Sequence, residues 1–179
     1  MAAFQVRPAS PADLPHLMGL DHSSSTDRVW QLELHREPRG PAITTTFREV
    51  RLPRPVSLVY PNDPFSLADE WVRKAVVLVA ADEKDPIGYL AIIEPRPSTA
   101  WITDMVVAPR WRRHGAASSL LVSAHDWAAD RGNRRIFLET QSKNQAAIAL
   151  AQKNGYEFCG YNENYYSTKD IALFFARSL

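Results

Sequence analysis

The chain has 179 residues and a formal net charge of +1, from 21 basic and 20 acidic side chains. This length favours one domain with a substantial core, and the balanced charge argues against nucleic acid as the main partner. No apolar run is as long as a membrane span and no secretory leader is recognisable, so we expect a soluble, cytoplasmic protein. The single cysteine, Cys159, cannot form an internal disulfide or a thiolate metal site, and we expect it to be buried and unreactive.

The first 74 residues are irregular and rich in proline. Ser10 followed by Pro11 marks a helix start, because serine caps the first turn and proline fits its first position. Two β-rich runs can pair as a hairpin whose second strand ends at Pro53 and Pro55. In chain order we predict a strand at 4–7, a helix from 10 to about 21, a hairpin of strands 23–35 and 42–52, an extended segment at 56–60 and a helix at 65–72.

From Ala75 onward the pattern becomes regular. Continuous apolar runs on both sides of a short turn predict a β-hairpin, and a strand, a helix and a strand then predict a right-handed βαβ unit with parallel strands. Gly132 and Gly155 are the expected helix stops. In chain order we predict strands at 76–81, 87–93 and 99–107, a helix from 115 to about 131, a strand at 135–140, a helix at 144–154 and an antiparallel pair of strands at 156–161 and 170–177.

The turn between the third of these strands and the long helix is a candidate anion site. The first N–H groups of a helix have no intrahelical partner and carry partial positive charge, so they attract an anion. Residues 112–117, Arg-Arg-His-Gly-Ala-Ala, fit the pattern Arg/Gln-x-x-Gly-x-Gly/Ala, and Gly115 allows a close approach. Taken alone, these six residues favour a solvated basic turn, because a basic turn before a helix usually faces solvent.

The order of the neighbouring motifs is more specific than the turn itself. Val107-x-Pro109 precedes the turn, and the next strand carries Leu138-Glu-Thr-Gln-Ser-Lys-Asn144, followed by Lys153-Asn-Gly-Tyr156. In this order the motifs resemble the GNAT superfamily of acyl-CoA-dependent N-acetyltransferases. The resemblance implies an α/β (α+β) fold with a single mixed, mostly antiparallel twisted sheet, a central splayed parallel strand pair and flanking helices. It also implies one domain over 1–179, with a variable substrate-side part at 1–74 and an acetyl-CoA-binding core at 75–179.

The resemblance further implies acetyl-CoA as the cosubstrate and assigns residues to it. Backbone groups of the splayed strand would bind the pantetheine arm, and N–H groups of the turn would bind the pyrophosphate. Asn144 would contact the arm, although capping the next helix is an equally good role for it. The cofactor-binding candidates are Met105, Val106, Val107, Arg112, Arg113, His114, Gly115, Ala116, Ala117 and Asn144.

Direct acetyl transfer to a primary amine needs a group that takes the amine proton. Glu139 is the first candidate, because it lies on an otherwise apolar strand that should raise its pKa, and it matches a glutamate of ribosomal-protein N-acetyltransferases. Pairing with Arg134 or Arg135 at the sheet surface is the alternative role. Asp104 is the second candidate and Glu94 the third.

One departure from the superfamily concerns the proton donor to the departing thiolate. A tyrosine is common just after the position of Leu150, but this chain has Ala151. Tyr165 or Tyr166, in the linker between the last two strands, could replace it. The missing tyrosine also leaves open a non-catalytic acyl-CoA-binding sensor or interaction module.

The amine acceptor is narrowed only by a second resemblance. Leu138-Glu-Thr-Gln141 and Ile171-Ala-Leu-Phe174 resemble streptothricin-type acetyltransferases, which acetylate a lysine-like amine of an antibiotic, whereas a peptide or ribosomal-protein N-terminus is the competing acceptor. We expect residues 36–64 to influence substrate choice. The five histidines lack metal-ligand spacing and no Gly-x-Ser-x-Gly elbow is present, so we expect neither a metal site nor a serine hydrolase. No membrane or nucleic-acid partner is expected, and a homodimer is compatible with the sequence.

Overall fold

The chain folds around a seven-stranded mixed sheet, with a separate two-stranded hairpin beside it. The computed structural model describes residues 4–38, 40–83 and 85–179, and all elements below belong to those residues. The strands are β1 (Phe4–Pro8), β2 (Ser24–Arg36), β3 (Ile43–Leu58), β4 (Val76–Asp82), β5 (Asp85–Arg96), β6 (Thr99–Val107), β7 (Arg135–Gln141), β8 (Glu157–Asn162) and β9 (Ala172–Ser178). The α-helices are α1 (Leu14–Met18), α2 (Ser66–Glu70), α3 (Ala116–Asp130) and α4 (Gln145–Lys153).

The main sheet has the order β1-β4-β5-β6-β7-β9-β8, and only β6 and β7 are parallel neighbours within it. Its central strands are apolar at nearly every position because both faces are covered by helices. One face packs against α3 and α4, where Leu90 and Leu120 are fully buried. The other packs against α1 and α2, with Val79 and Tyr89 in its core. The fold class predicted from the sequence is confirmed.

The parallel pair separates half-way along its length. β6 and β7 pair only between Thr99–Ile102 and Arg135–Leu138, and a β-bulge at Thr103 then interrupts the pairing of β6 with β5. Beyond this point β6 follows β5 and β7 follows β9. Bulges bend a strand and redirect its side chains. The separation opens a gap in the middle of the sheet, next to the N-termini of α3 and α4.

The predicted order of elements from residue 75 onward is present. The β4–β5 hairpin, the βαβ unit of β6, α3 and β7, and the final antiparallel pair all form. Gly132 and Gly155 follow α3 and α4 with positive φ angles of 77° and 78°, as a helix stop requires. The predicted β2–β3 hairpin also forms, as a second small sheet.

The prediction that Pro53 and Pro55 end the hairpin strand is wrong. β3 continues to Leu58 and includes residues 56–58 of the extended segment that was predicted separately at 56–60. The pairing register shifts between Thr26 and Arg28, so the residues that contain both prolines bulge out of the ladder. A proline is tolerated there because no ladder hydrogen bond is required from its nitrogen.

The first helix is shorter than predicted. A 3-10 turn at Pro11–Asp13 leads into α1, which ends at Met18 because Gly19 caps its C-terminus. The expected start is present, since the Ser10 N–H donates to Asp13 Oδ2 at 2.7 Å.

Cys159 is exposed, contrary to the prediction that it is buried. It lies on β8, an edge strand that pairs only with β9, and most of this strand contacts solvent. Partial burial of its sulfur raises the pKa of the thiol, and the thiol donates to the Phe174 carbonyl at 3.4 Å. A thiol with a raised pKa is a weak nucleophile at neutral pH.

Candidate active site

Two cavities meet where β6 and β7 separate. The β6–β7 cleft, about 640 Å³, lies between the two strands and the N-terminal ends of α3 and α4. The α2 cavity, about 830 Å³, lies between the segment 61–74, which contains α2, and the linker between β8 and β9. Ligands in the two cavities can meet at the residues that line both of them. These six residues are Pro61, Asn62, Thr103, Asp104, Glu139 and Tyr166.

The N-terminal end of α3 presents a row of free backbone donors to the β6–β7 cleft. Residues 113–118 show no hydrogen-bond partner for their N–H groups among the described residues. Gly115 precedes the helix with φ of 95°, and a Cβ added there would meet no atom within 4 Å. Successive free N–H groups at a helix N-terminus are suited to a diphosphate. This end of the cleft therefore fits the pyrophosphate of coenzyme A.

Arg112 differs from the other residues of the predicted cradle. Its N–H donates to the Pro109 carbonyl, so it is not free for a ligand. Its guanidinium donates to the Val107 carbonyl at 2.8 Å and to the Ser23 carbonyl at 2.8 Å. The side chain thus ties the turn to β6 and to the start of the hairpin. Arg113, which is exposed, is the arginine of this pair that remains available to phosphate groups.

The other cofactor-binding candidates lie in two different environments. Met105, Val106, Val107 and Ala117 line the β6–β7 cleft, whereas the Ala116 side chain is buried in the core and His114 lies outside the cleft. Asn144 lines the cleft and also caps α4, because its Oδ1 accepts from the Ala147 N–H at 3.2 Å. Capping occupies the oxygen and leaves the Nδ2 donors of Asn144 for a ligand.

Glu139 lies at the junction of the two cavities. Its Oε2 accepts hydrogen bonds from Trp101 Nε1 at 2.7 Å and from the Tyr165 hydroxyl at 2.8 Å. Burial raises the pKa of Glu139, and the two hydrogen bonds offset only part of that effect. The alternative pairing with Arg134 or Arg135 is absent from the described contacts of Glu139. A carboxylate with a raised pKa beside a reaction cavity is suited to accept a proton.

Asp104 is a carboxylate of the opposite kind. Its side chain is 9% exposed and accepts from Tyr60 at 2.6 Å, Asn62 at 2.7 Å and Thr103 at 2.9 Å, with Lys74 Nζ at 3.3 Å. Burial acts to raise the pKa of Asp104, but these hydrogen bonds and the lysine charge outweigh it, so the pKa lies below its ordinary value. Asp104 is therefore held as a fixed anion.

The two candidate tyrosines are placed differently. Tyr166 is buried, lines both cavities and makes no hydrogen bond through its hydroxyl among the described residues. Tyr165 is 44% exposed, lines only the α2 cavity and donates to Glu139. Burial raises the pKa of both phenols, so each carries its proton at neutral pH.

The α2 cavity is rich in carboxylates. Asp63, Glu70, Glu94, Asp104 and Glu139 line it, against two cations, Arg73 and Lys74. Lys74 is already neutralised, because its Nζ lies 3.2 Å from Glu70 and 3.3 Å from Asp104. The cavity therefore attracts a cation rather than an anion.

Glu94, the third candidate base, has partners of its own. Arg131 donates to it at 2.8 and 3.0 Å and Asn133 at 2.8 Å, and these hydrogen bonds lower its pKa. It is thus a carboxylate that stays ionised and bound to an arginine, which does not suit a proton acceptor.

Sequence reasoning missed three residues of the junction: Tyr60, Lys74 and Trp101. The pairing of β6 with β7 could have indicated Trp101. Trp101 lies opposite Phe137, and Phe137 shares a face of the sheet with Glu139, which is two residues further along β7. Tyr60 and Lys74 lie in the irregular N-terminal part, where no periodicity indicates a direction for their side chains.

Within the described residues, no group of three or more metal-binding side chains comes together. A helix long and apolar enough to cross a membrane is likewise not found among them.

A split sheet, a donor-lined helix N-terminus and two connected cavities together define an acyl-CoA acyltransferase architecture. In agreement, the model of the acetyltransferase (GNAT) family matches residues 44–156. The chain belongs to this family and is an acetyl-CoA-dependent N-acetyltransferase.

Among its relatives are streptothricin acetyltransferases. The chain is 30% identical over 176 residues to streptothricin acetyltransferase of Streptomyces lavendulae. The aligned region covers 92% of this chain and 87% of that protein. The crystal structure of nourseothricin acetyltransferase matches with a TM-score of 0.80 at 27% identity, covering 99% of both chains. A Bacillus anthracis protein assigned as a streptothricin acetyltransferase, solved with acetyl coenzyme A, shares the fold at a TM-score of 0.75 and 21% identity, over 99% of this chain and 98% of that one.

Proposed function

We propose that the enzyme transfers an acetyl group to a primary amine of a small cationic molecule of the streptothricin type. The observation that carries this proposal is the carboxylate-rich α2 cavity, which meets the β6–β7 cleft at Glu139. An amine is a cation at neutral pH. The cavity has five carboxylates against Arg73, Lys74 and the Glu94-bound Arg131, and this excess of negative charge attracts the amine and favours a position of its nitrogen near the base. The relationship to streptothricin acetyltransferase over most of the chain supports the same acceptor.

In the proposed mechanism Glu139 takes a proton from the acceptor ammonium. Acetyl-CoA supplies an activated thioester when bound in the β6–β7 cleft. Glu139 Oε2 is held by Trp101 and Tyr165, which leaves Oε1 for the amine. The neutral amine then attacks the thioester carbon directly and forms the C–N bond. As the C–S bond breaks, the Tyr166 hydroxyl gives its proton to the departing sulfur, and the proton that the attacking nitrogen loses restores the Tyr166 hydroxyl.

Asp104 has a different role in this proposal. With four hydrogen-bonding partners it has no free oxygen position for the amine, so it acts as a permanent negative charge that favours the bound cation. Its position as second candidate base is thus less favourable than that of Glu139.

The acceptor is tested by measuring coenzyme A release with three amines: a streptothricin antibiotic, free lysine and a peptide with N-terminal alanine. We expect kcat/KM to be highest for the antibiotic, by roughly 100-fold over the peptide. A higher value for the peptide would replace the small-molecule proposal with a peptide or ribosomal-protein N-terminus. We also propose that residues 1–74 form the substrate-side part, that residues 75–179 form the acetyl-CoA-binding core, and that the protein is cytoplasmic.

A further inference from the structure

Gln141, the last residue of β7, is a buried amide at the wall of the β6–β7 cleft. It is 4% exposed and lines the cleft on the β7 side of the separated strands. A buried amide is costly unless its donors and acceptor are used. Its hydrogen bonds therefore indicate which of its atoms is reserved for a ligand.

The orientation of the Gln141 amide follows from its partners. One atom lies 3.0 Å from the Val59 carbonyl oxygen and 2.8 Å from Asp170 Oδ2. Both partners can only accept, so this atom is the nitrogen Nε2, and both of its hydrogens are engaged. Oε1 receives no hydrogen bond from the described residues, yet it is not sealed from solvent. It is the one free polar atom of the side chain.

Asp170 keeps the amide in this orientation. Besides Gln141, it accepts from Thr168 at 3.0 Å and forms an ion pair with Lys143. Burial acts to raise the pKa of Asp170, but Lys143 and Thr168 outweigh it, so the pKa is lowered and the group stays ionised. A fixed anion at Nε2 prevents the amide from flipping. Oε1 is thus a preorganised acceptor on a residue that lines the cleft.

The cleft geometry indicates which part of a ligand reaches this acceptor. The free N–H groups of residues 113–118 lie at the α3 end, where they suit the pyrophosphate. Gln141 lies on the opposite strand from Met105–Val107, on the way from that end to Glu139. The segment of acetyl-CoA between pyrophosphate and thioester is the pantetheine arm, whose two amides carry N–H donors.

We propose that Gln141 Oε1 is a cofactor-binding acceptor that takes a hydrogen bond from an amide N–H of the pantetheine arm. Because Nε2 is bound to Val59 and to Asp170, the same side chain would join the cofactor to the segment that follows β3 and to the linker that carries Tyr166. This inference concerns the cofactor and does not depend on the identity of the amine acceptor.

Calorimetry with two ligands separates this role from general damage to the cleft. Gln141→Met keeps the length and volume of the side chain but removes its acceptor and donors. We expect it to bind acetyl-CoA about tenfold more weakly, the equivalent of one buried hydrogen bond. Adenosine 3′,5′-diphosphate lacks the pantetheine arm and should bind Gln141→Met and the wild type equally. Gln152→Met, on the exposed side of α4, is the matched control and should change neither affinity.

A second measurement uses modified cofactors. In each of two acetyl-CoA analogues, one pantetheine amide N–H is replaced by an ester oxygen. One of them should bind the wild type more weakly than acetyl-CoA, and Gln141→Met should bind that analogue and acetyl-CoA alike. Unchanged acetyl-CoA affinity in Gln141→Met, or an equal loss for both ligands of the calorimetry, would overturn the proposal. If Gln141→Met does not fold, the wild type alone decides the question. The proposal is then overturned if both ester analogues bind the wild type as tightly as acetyl-CoA does.

Discussion

Two carboxylates share the junction of the cavities but differ in protonation behaviour. Glu139 has two donors on one oxygen and a raised pKa, whereas Asp104 has donors on both oxygens, a nearby lysine and a lowered pKa. The difference arises from the number of hydrogen bonds and charges that compensate burial. At this scale the two carboxylates differ in pKa, and the proposed roles of proton acceptor and permanent charge depend on that difference.

Glu139→Gln tests the proton acceptor. We expect kcat at pH 7 to fall roughly 100-fold or more, because the glutamine cannot take the amine proton. In the wild type, kcat should rise with pH through the raised pKa of Glu139, and the variant should lose this limb of the profile. Acetyl-CoA affinity, measured by calorimetry, should not change. An unaltered kcat would remove Glu139 from the mechanism, and Glu157→Gln on the edge strand β8 is the control.

The two tyrosines give separable outcomes in a comparison of phenylalanine variants. Tyr166→Phe should lower kcat about 10- to 100-fold, because the thiolate then leaves without a proton. Tyr165→Phe removes a hydrogen bond that favours ionised Glu139, so the pKa of Glu139 rises further and the acidic limb of kcat moves to higher pH. Steady-state kinetics from pH 5 to 9 distinguish the two. The reverse pattern would assign the proton donor to Tyr165.

At the scale of single elements, α3 combines a packing face with a ligand-binding end. Leu120, Leu121 and Ala124 are fully buried against the sheet, while the N-terminal turn faces the cleft. Gly115 makes this possible because its φ of 95° turns the chain into the helix.

A matched pair of glycines tests that end of α3. Gly115 and Gly132 both have positive φ, and a Cβ on either would meet no atom within 4 Å. Each Gly→Ala change should therefore cost a similar free energy of unfolding, about 1 kcal/mol, from backbone strain alone. Only Gly115→Ala should also weaken acetyl-CoA binding, because it distorts the turn that carries the free N–H groups. Equal cofactor affinities of the two variants would argue against this cradle.

His125, on the buried face of α3, makes stability depend on pH. Its Nδ1 accepts from Arg177 and its Nε2–H donates to the Tyr156 hydroxyl, so the ring is neutral in the fold. Burial, with a contribution from Arg177, lowers its pKa from the ordinary 6.5 to about 4.

The unfolded chain binds a proton at His125 below pH 6.5, but the folded chain does so only near pH 4. The free energy of unfolding should therefore fall as the pH drops between these values, by about 1–2 kcal/mol from pH 7 to pH 5. Urea unfolding at both pH values measures this, and His125→Gln should lose the His125 part of the fall. His16→Gln, at an exposed histidine, is the control. If the free energy of unfolding falls by the same amount in both variants, His125 is not the group that makes stability depend on pH.

At the scale of the whole molecule, two connected cavities differ in the charge of their lining. The β6–β7 cleft ends in free helix N–H donors, whereas five carboxylates and two cations line the α2 cavity. The β2–β3 hairpin contributes Ser24, Ser25 and Leu58 to the first cavity, so the N-terminal part of the chain lines both cavities.

This charge arrangement predicts how the KM values respond to salt. The KM of a cationic acceptor should rise with ionic strength, because salt screens the exposed carboxylates. Asp63→Asn removes one charge but retains the oxygen that accepts from the Phe65 N–H. It should raise the acceptor KM at low salt and reduce its salt dependence, without affecting the KM of acetyl-CoA. Steady-state kinetics between 20 and 500 mM salt test this, and a salt-independent acceptor KM would exclude electrostatic attraction.

Much of the cofactor side was predictable, because it depends on local sequence. The apolar runs, the βαβ spacing and Gly115 before a small-residue helix predict the parallel strand pair and the turn without any long-range information, whereas the separation of the two strands was implied only by the family resemblance. The free N–H groups of this turn belong to the backbone, so their position follows once the helix start is known. Arg112 is different, since its side chain also binds the carbonyl of Ser23, 89 positions away, which no local pattern indicates.

The sequence by itself determined the strand and helix order from residue 75, and it predicted an anion site before the long helix and Glu139 as a candidate base. Only the tertiary structure brought Tyr60, Lys74 and Trp101 to the junction, distinguished Tyr166 from Tyr165 and assigned opposite pKa shifts to Asp104 and Glu139. The physical reason is that helix and strand periodicity arises between near neighbours in the chain, whereas burial and hydrogen bonding join residues far apart in it, such as Tyr60 and Asp104, which are 44 positions apart.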